Sequence, residues 1–329
     1  MNVLFIGGTG NISTSVSRLC IERGISLTLL NRGVRNSVIP GARSLVADVN
    51  DAASLRKALS GQRWDVVVNW IAFDPADVER DIGLLQGNVG QYIFISSASA
   101  YQKPLSHPVV TESTPLCNPY WDYSRKKIAC EDRLMRAYRE AGFPATIVRP
   151  SLTYDTVLPV PIGGWTEFTI VDRIRKKRKI IVHGDGTSLW TVTHASDFAG
   201  GFVGLLGHQQ AIGQAFHITS DELLTWDQIH YALADAAGEA PQIVHIASDY
   251  LAACEPSLVG SLLGDKAVSV IFDNSKIKRF VPEYTAVIPF KVGIRKTLAW
   301  FEEDPARCKV REETHQMMDR IISEYERRC

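Results

Sequence analysis

The chain has 329 residues, of which 45% are apolar and 22% are charged, a composition that excludes a disordered, collagen-like or low-complexity protein. Because 36 basic residues balance 36 acidic ones, the formal net charge is zero, which argues against nucleic acid and anionic membranes as partners. The six cysteines form no Cys-x-x-Cys pair and no zinc-type Cys/His spacing, so we expect no metal and a reduced, cytoplasmic protein.

The first half of the chain alternates between strand and helix patterns. It opens directly on an apolar strand, so we expect no signal peptide, and no apolar run approaches the ~18 residues that cross a bilayer. Short apolar runs of strand length alternate with amphipathic stretches of helix length. Strands are predicted at 3–6, 26–30, 44–47, 65–68, 92–95 and 145–148, and helices at 12–23, 52–59, 76–85 and 120–141.

These alternating elements predict an α/β fold. Strands that are apolar almost throughout belong to a parallel sheet covered on both faces, that is, a Rossmann-type, doubly wound sheet. The pattern loosens after Pro150, so we divide the chain into a dinucleotide-binding domain at 1–155 and a smaller, mainly substrate-binding α/β domain at 156–329, with segments around 180–220 returning to the main sheet. Later helices are predicted at 168–177, from 196 onward, at 292–301 and at 313–325, and later strands at 180–182 and 215–218.

Between the first strand and the first helix lies the sequence Gly-Gly-Thr-Gly-Asn-Ile-Ser at 7–13. Glycine tolerates positive φ and lets a ligand approach the backbone, so a pyrophosphate can bind the N–H groups at the start of the helix. The position of the glycines, more than the glycines alone, indicates a dinucleotide site. A tight turn without a ligand is the alternative. Ser13 stands where a third glycine is usual in such turns.

A tyrosine and a lysine four residues apart, Tyr123 and Lys127, share one face of the long predicted helix. A neighbouring ammonium group favours the phenolate, so we expect the pKa of Tyr123 to be lowered and its phenol to serve as an acid/base. Alone, such a pair is usually a surface contact. Ser97, at the end of the fifth strand, is suited either to hydrogen-bond a substrate carbonyl or simply to form a turn.

In combination, these motifs resemble the extended short-chain dehydrogenase/reductase superfamily, in its NAD-dependent epimerase/dehydratase branch. The resemblance spans most of the chain and implies the fold described above together with a nicotinamide cofactor. Its remaining motifs are Asp48 after the third strand, Ser97-x-x-x-Tyr101, Thr111-Glu112-x-x-Pro115, Glu131, Arg149-Pro150, Gly184-Asp185-Gly186 and Asp197.

The resemblance implies a catalytic triad, in which Tyr123 is the acid/base, Lys127 binds the nicotinamide ribose and tunes Tyr123, and Ser97 binds the reacting oxygen. Residues for the cofactor and the substrate are predicted as well. The cofactor residues are Gly7, Thr9, Gly10, Asn11, Ile12, Asn31, Arg32, Asp48, Val49, Asn69, Ile71, Ala72, Ser96, Pro150 and Ser151. The substrate residues are Ser99, Tyr101, Trp165, Arg173 and Trp190.

The chain departs from the family pattern on the substrate side. Sugar dehydratases of this superfamily carry an Asp-Glu pair after the active-site hydroxyl, whereas this chain has Ala98-Ser99, which disfavours 4,6-dehydration. The family arginine that clamps a sugar-nucleotide diphosphate falls on Trp190, and an indole does not replace a planar cation. Either the substrate lacks a diphosphate, or Arg173 or Arg175 supplies the clamp.

The end of the second strand bears on the choice of cofactor. An NAD site normally carries a carboxylate there for the ribose 2′-OH, but this chain has the neutral Asn31 followed by Arg32, with Arg35 close behind. A guanidinium can pair with a 2′-phosphate, so we favour NADP over NAD. The alternative is that Arg32 is solvated and Asn31 alone serves the ribose of NAD.

Three functions remain open. The favoured one is an NAD(P)-dependent oxidoreductase or epimerase that acts on a sugar or nucleotide-sugar by hydride transfer, with epimerisation through a transient keto sugar preferred. The second is an NADP-dependent carbonyl reductase or alcohol dehydrogenase with a non-nucleotide substrate, and the third is a non-catalytic dinucleotide- or RNA-binding member of the fold. We also expect a homodimer through the helix of Tyr123, whose outer face is predicted to present Ile128, Leu134 and Met135.

Overall fold

The structure is a computed structural model that describes residues 1–33 and 38–328. The described strands are β1 (Asn2–Ile6), β2 (Ser26–Asn31), β3 (Arg43–Val46), β4 (Trp64–Asn69), β5 (Val89–Ile95), β6 (Val109–Val110), β7 (Ala145–Pro150), β8 (Leu152–Tyr154), β9 (Lys179–His183), β10 (Leu189–Trp190), β11 (Val192–His194), β12 (Ala215–Ile218), β13 (Leu224–Thr225), β14 (Gln242–Ile246) and β15 (Ile271–Phe272).

The helices lie between and after these strands. They are α1 (Ser13–Glu22), α2 (Ala52–Leu59), α3 (Pro75–Leu85), α4 (Asp122–Ala141), α5 (Thr169–Arg175), α6 (Ala195–Gly204), α7 (Trp226–Ala237), α8 (Ser248–Cys254), α9 (Val259–Ser261), α10 (Ser275–Phe280), α11 (Phe290–Glu302) and α12 (Glu312–Glu326). A 3₁₀ turn spans Ala98–Ala100, and a π-helical turn spans Leu262–Lys266.

Seven parallel strands form the main sheet, in the order β12-β7-β5-β4-β1-β2-β3. β1 lies between β2 and β4, with Ile6 level with Leu30 on one side and with Asn69 on the other. The strand order therefore reverses between β1 and β4, and ligands of such sheets bind at the carboxyl ends of the strands beside that reversal.

Helices cover both faces of this sheet. Side chains of β1 alternate between the faces: Val3 and Phe5 pack in one core with residues of α1 and α6, whereas Leu4 and Ile6 pack in a second core with residues of α2, α3 and α4. Strands that bury side chains on both faces are apolar almost throughout, as the sequence shows. The prediction of a Rossmann-type, doubly wound α/β fold is confirmed.

The start of α3 and the end of α4 are both set by their sequence. At the start of α3, the Asp74 and Asp77 carboxylates form a reciprocal capping box. The long helix α4 ends at Gly142, whose φ of 64° is the left-handed conformation that glycine adopts without strain. α4 begins at Asp122, so Tyr123 lies in its first turn.

The second half of the chain adds short two-stranded ladders to the main sheet. Of the segments around 180–220, β12 joins the main sheet beside β7, whereas β9 pairs with β14 in a separate ladder. The hydrogen-bonding partner of β9 is β14, which lies some 60 residues later in the chain. The domain boundary at 155 stays a prediction.

One residue of the expected dimer face points elsewhere. Leu134 is fully buried in the core between α4 and the sheet, so its assignment to the outer face is wrong, whereas Ile128 and Met135 are half-buried. Among the described residues, no helix is long and apolar enough to span a membrane.

Candidate active site

A cavity of about 760 Å³ lies at the carboxyl ends of the central strands. Its walls come from the glycine turn after β1, the loops after β4, β5 and β7, the start of α4 and the π-helical turn of the second half. The predicted site residues that line it are Gly7, Thr9, Gly10, Asn11, Ile12, Ile71, Ser96, Ser97, Ser99, Tyr123, Lys127, Pro150, Ser151 and Trp165. Parallel strands thus bring together segments that lie far apart in the sequence.

The glycine turn has a shape that only glycine allows. Gly7 and Gly8 have φ values of 94° and 104°, and a Cβ on Gly8 would lie 2.8 Å from a side-chain carbon of Leu29. Ser13, in place of a third glycine, accepts a hydrogen bond from the Gly10 N–H at 2.8 Å and so closes the turn. Among the described residues, no side chain caps α1, so the start of the helix faces the cavity uncapped.

Asn11 fastens the glycine turn to the second half of the chain. Its side-chain amide donates to the Thr153 carbonyl at 2.8 Å, and its carbonyl oxygen accepts from the Thr156 N–H at 3.0 Å. Each polar atom of the Asn11 side chain thus holds a protein partner, and the amide keeps one further donor position, so contact of Asn11 with the cofactor stays a prediction.

Ser97, Tyr123 and Lys127 lie on one wall of the cavity. The Ser97 hydroxyl is 2.9 Å from the Ser99 hydroxyl, which in turn accepts from Ser124 at 2.7 Å. The Lys127 ammonium lies 5.8 Å from the centre of the Tyr123 ring and donates to the carbonyls of Ala72 and Ile95, each at 2.7 Å. These two bonds fix a buried cation below the phenol.

Burial dominates the electrostatics of this wall. Desolvation lowers the pKa of Lys127 to about 8, so the ammonium form still prevails at neutral pH. Desolvation also raises the pKa of Tyr123, which a hydrogen-bonding interaction with Ser97 offsets in part and the charge of Asp265 reinforces. The expected lowering of the Tyr123 pKa by Lys127 is therefore wrong for the protein alone, because desolvation is the largest effect on this pKa and Lys127 is not among the groups that shift it.

A buried ion pair supports the same wall from behind. The Arg149 guanidinium binds the Glu131 carboxylate, with Nη2 and Oε2 2.6 Å apart, and both side chains are almost fully buried. The Ser96 hydroxyl donates to the same carboxylate. Ser96 therefore presents its backbone, and not a free hydroxyl, to the cavity.

The other predicted cofactor residues follow the strands β2, β3 and β4 without forming the cavity wall. The Asn31 side chain accepts a hydrogen bond from the Gly33 N–H, and the Asp48 carboxylate accepts one from the Asn50 N–H. The backbone carbonyl of Val49 accepts a hydrogen bond from the Arg80 guanidinium. Arg32 is exposed at the tip of β2, and Arg35 lies outside the described residues.

Two predicted residues, one at the end of β4 and one just after it, hold the wall in place. Asn69 is buried, donates to Asp81 and accepts from the N–H of Ile71, which does line the cavity. The carbonyl of Ala72 accepts from Lys127. Both residues position neighbours of the cavity and do not face it themselves.

Three of the predicted substrate residues lie in the core. Tyr101 is buried, and its hydroxyl bonds His217 at 3.0 Å. Arg173 is buried, and its guanidinium pairs at 2.7 Å with the carboxylate of Asp319, a residue of α12. Trp190 is buried against Trp226, with ring centres 5.6 Å apart. Direct substrate contact by these three side chains is therefore a wrong prediction.

The remaining predicted substrate residues do reach the cavity. Ser99 lines it beside Ser97, and Trp165 lines it with 48% of its surface exposed and a positive φ of 59°. Arg175, the other candidate clamp, pairs with Glu302 at the surface. Neither arginine proposed as a diphosphate clamp is thus on the wall.

Sequence reasoning missed several residues of the wall. Trp121 and Tyr123 have ring centres 5.1 Å apart, and Phe73 packs over the Lys127 ammonium at 4.3 Å. Trp121 could have been found from the sequence, because it lies only two positions before Tyr123 at the start of α4. Asp265 and Lys266 also line the cavity, but they lie some 140 residues after Tyr123, and no local pattern pairs the two segments.

Comparison with known proteins places the chain in a family. The model of the NAD dependent epimerase/dehydratase family matches residues 3–219. The chain is 28% identical over 258 residues to the chloroplast stem-loop binding protein of 41 kDa b of Arabidopsis thaliana, a match of 74% of this chain and 65% of that protein. It therefore covers less than two thirds of the length of that relative.

Two further matches cover a larger share of both chains. The chain is 22% identical over 286 residues to 2'-dehydrokanamycin reductase of Streptomyces kanamyceticus, across 86% of this chain and 80% of that protein. The solved structure of UDP-glucuronic acid 4-epimerase from Bacillus cereus, in complex with UDP-glucuronic acid and NAD, superposes with a TM-score of 0.72 at 15% identity, over 92% and 99% of the two chains. At that identity the superposition speaks for the fold alone.

Proposed function

Because the chain belongs to the NAD dependent epimerase/dehydratase family, we propose that it is an NAD(P)-dependent enzyme that transfers a hydride at a carbinol or carbonyl carbon of a sugar-like substrate. The observation that carries the proposal is the shared cavity: Ser97, Tyr123 and Lys127 line the same space as the glycine turn. An acid/base and a dinucleotide site that share one cavity are what such a reaction requires.

The glycine turn fits a nicotinamide dinucleotide. Gly8 leaves no room for a Cβ, and α1 begins without a side-chain cap beside it, so a pyrophosphate can approach the start of the helix closely. The N–H groups of Gly7 and Gly10 already donate to the Leu30 carbonyl and to Ser13, so these two glycines would lie against the pyrophosphate and leave its hydrogen bonds to the N–H groups at the start of α1, where Ile12 lies, while Ser151 would flank the nicotinamide. When bound, a nicotinamide dinucleotide supplies or accepts the hydride.

The chain's own residues supply the proton and hold the substrate. Tyr123 transfers a proton to or from the substrate oxygen, and Ser97 donates a hydrogen bond to the same oxygen. The Lys127 ammonium lies 5.8 Å from the Tyr123 ring, where its positive charge favours the phenolate that forms when Tyr123 gives up its proton. Trp121, Phe73 and Trp165 line the same cavity and would pack against a bound substrate.

A reductase of a non-nucleotide substrate is the second candidate, and one observation favours it. The described part of the chain places no arginine on the cavity wall, whereas a diphosphate is usually bound by planar, bidentate guanidinium groups. One relative is named 2'-dehydrokanamycin reductase, and that name contains no nucleotide or diphosphate. An epimerase of nucleotide-sugars would need its clamp from lysines alone.

We also propose NADP as the preferred cofactor and a homodimer as the assembly. Among the described residues of β2 and its end, no carboxylate occupies the tip, where Asn31 and the exposed Arg32 lie. A neutral amide followed by a cation suits a 2′-phosphate better than a free 2′-OH.

A substrate screen tests the proposal and separates its two forms. The purified protein is titrated with NADP and NAD, and is then offered sugars, nucleotide-sugars, ketones and aldehydes while the nicotinamide absorbance is followed and products are read by NMR. An epimerase retains its cofactor through purification and turns over without addition, whereas a reductase consumes added cofactor. Failure to bind either cofactor, with no product from any substrate, would overturn the proposal.

A further inference from the structure

Three charged residues form a compact group on the substrate side of the cavity. Asp265 and Lys266 lie at the end of the π-helical turn and line the cavity, and Lys103, which follows β5 and its 3₁₀ turn, lies directly behind them. We call Lys103, Asp265 and Lys266 the lysine–aspartate cluster. It is close to the acid/base, because the charge of Asp265 acts on the pKa of Tyr123.

The charges within the cluster do not cancel. The Lys266 ammonium binds one oxygen of Asp265 at 2.8 Å, and the Lys103 ammonium lies 4.0 Å from the other oxygen and donates to the Asp265 backbone carbonyl at 3.2 Å. The side chains of Lys103, Asp265 and Lys266 are only 2%, 14% and 10% exposed. Two cations thus share one carboxylate and leave one buried positive charge, which is unfavourable without an anion.

A neighbouring histidine does not change this balance. Burial lowers the pKa of His183 to about 3, so the ring is neutral at physiological pH. Its Nε2 lies 3.0 Å from the Lys266 carbonyl, and since a carbonyl only accepts, Nε2 carries the proton and donates. His183 therefore fixes the backbone of Lys266 and adds no charge.

Aromatic rings hold the two ammonium groups in place. Both lie over the Trp190 ring, at 5.8 Å and 5.9 Å from its centre, and Lys266 also lies 5.9 Å from the centre of the Trp121 ring. Such contacts attract the ammonium groups but supply no countercharge, and burial together with the charge of Lys266 lowers the pKa of Lys103. The Trp190 Nε1–H, buried beside them, has no hydrogen-bond partner among the described residues.

We infer that the lysine–aspartate cluster is the anion subsite of the substrate, which takes one carboxylate or one phosphate monoester on the Lys266 ammonium with Lys103 behind it. The inference rests on the proposed function, because it treats this cavity as the substrate site. An ammonium binds an anion as a point charge and lacks the planar fork of a guanidinium, so a single compact anionic group suits it better than a diphosphate. At position 190, where the resemblance expects an arginine, an indole instead supports two lysines from other segments.

Calorimetric titration with two probe anions tests this assignment. Acetate and inorganic phosphate are each titrated into protein saturated with NADP or NAD, so that the glycine turn is occupied. Lys266→Met should weaken binding of the preferred anion by about tenfold or more, since hydrogen bonds to charged groups are strong. Asp265→Asn, which removes the competing carboxylate, should tighten it. Lys126→Met, an exposed lysine of α4 that pairs with Asp74, is the matched control and should change nothing.

Each outcome bears on the cluster itself. Preference for acetate indicates a carboxylate substrate, and preference for phosphate indicates a phosphate monoester. No binding of either anion, or equal binding by wild type and Lys266→Met, would overturn the inference. If Lys266→Met does not fold, the test rests on Asp265→Asn. Anion binding by Asp265→Asn that is unchanged or weaker than in wild type would then count against the inference. A different result would defeat the proposed function and leave the cluster assignment standing. In that case the protein binds neither NADP nor NAD, but its affinity for the anion still differs between wild type and Lys266→Met.

Discussion

Lys127 should make the stability of the protein rise with pH in the alkaline range. Its pKa falls from 10.5 to about 8 on folding, which corresponds to about 3 kcal/mol, since one pKa unit is worth about 1.4 kcal/mol. The unfolded chain keeps the proton over a range in which the folded protein has released it. Because the unfolded state binds more protons there, raising the pH removes a penalty from the folded state.

Chemical denaturation of wild type and Lys127→Met from pH 7 to pH 10.5 measures this effect. Met fills a similar volume without the charge, so titration of all other groups cancels in the difference between the two proteins. We expect the free energy of unfolding of wild type, relative to Lys127→Met, to increase by about 3 kcal/mol over that range. Lys126→Met, on the exposed face of the same helix, should show a flat difference. A flat difference for Lys127→Met as well would refute the assignment of Lys127 as a buried cation.

Three further predictions concern the cofactor, the core and the assembly. Arg32→Ala should weaken NADP far more than NAD in fluorescence titrations, and equal or tighter binding of NAD by wild type would reject the preference for NADP. Glu131→Ala leaves the buried Arg149 guanidinium without its carboxylate partner, so the free energy of unfolding in denaturant should fall by about 3–5 kcal/mol. A fall below about 1 kcal/mol would mean that Arg149 finds another partner. Sedimentation at micromolar concentration should show a dimer that Met135→Glu dissociates, and a monomeric wild type would reject the dimer.

Much of the fold follows from local sequence patterns. Most strands of the main sheet are apolar runs bounded by polar or glycine residues, and this pattern is enough to place them to within a few residues. The edge strand β3, whose residues are mostly exposed, carries the weakest signal of this kind. The i, i+4 spacing likewise places Tyr123 and Lys127 on one helical face, because helix geometry relates those positions without help from the rest of the chain. The glycine turn is equally local, since positive φ at Gly7 and Gly8 depends on the residue type.

Features that depend on packing between distant segments were not predictable in the same way. The 3₁₀ turn at Ala98–Ala100 carries Tyr101 into the core, although its spacing from Ser97 suits a site residue. The sign of the pKa shift of Tyr123 depends on how much water the second half of the chain excludes. Asp265 and Lys266 reach the cavity because the segment after α9 packs against it. The spacing of residues in the sequence does not predict such a contact between distant segments.

The role of Tyr123 as the acid/base is tested most directly by the turnover of Tyr123→Phe, which removes one hydroxyl and keeps the ring between Trp121 and Phe73. With the best substrate of the screen and saturating cofactor, kcat should fall by about 10²–10⁴-fold, while the dissociation constant of the cofactor and the unfolding midpoint stay close to those of wild type. A Tyr123→Phe variant with near-normal kcat would contradict the proposed chemistry.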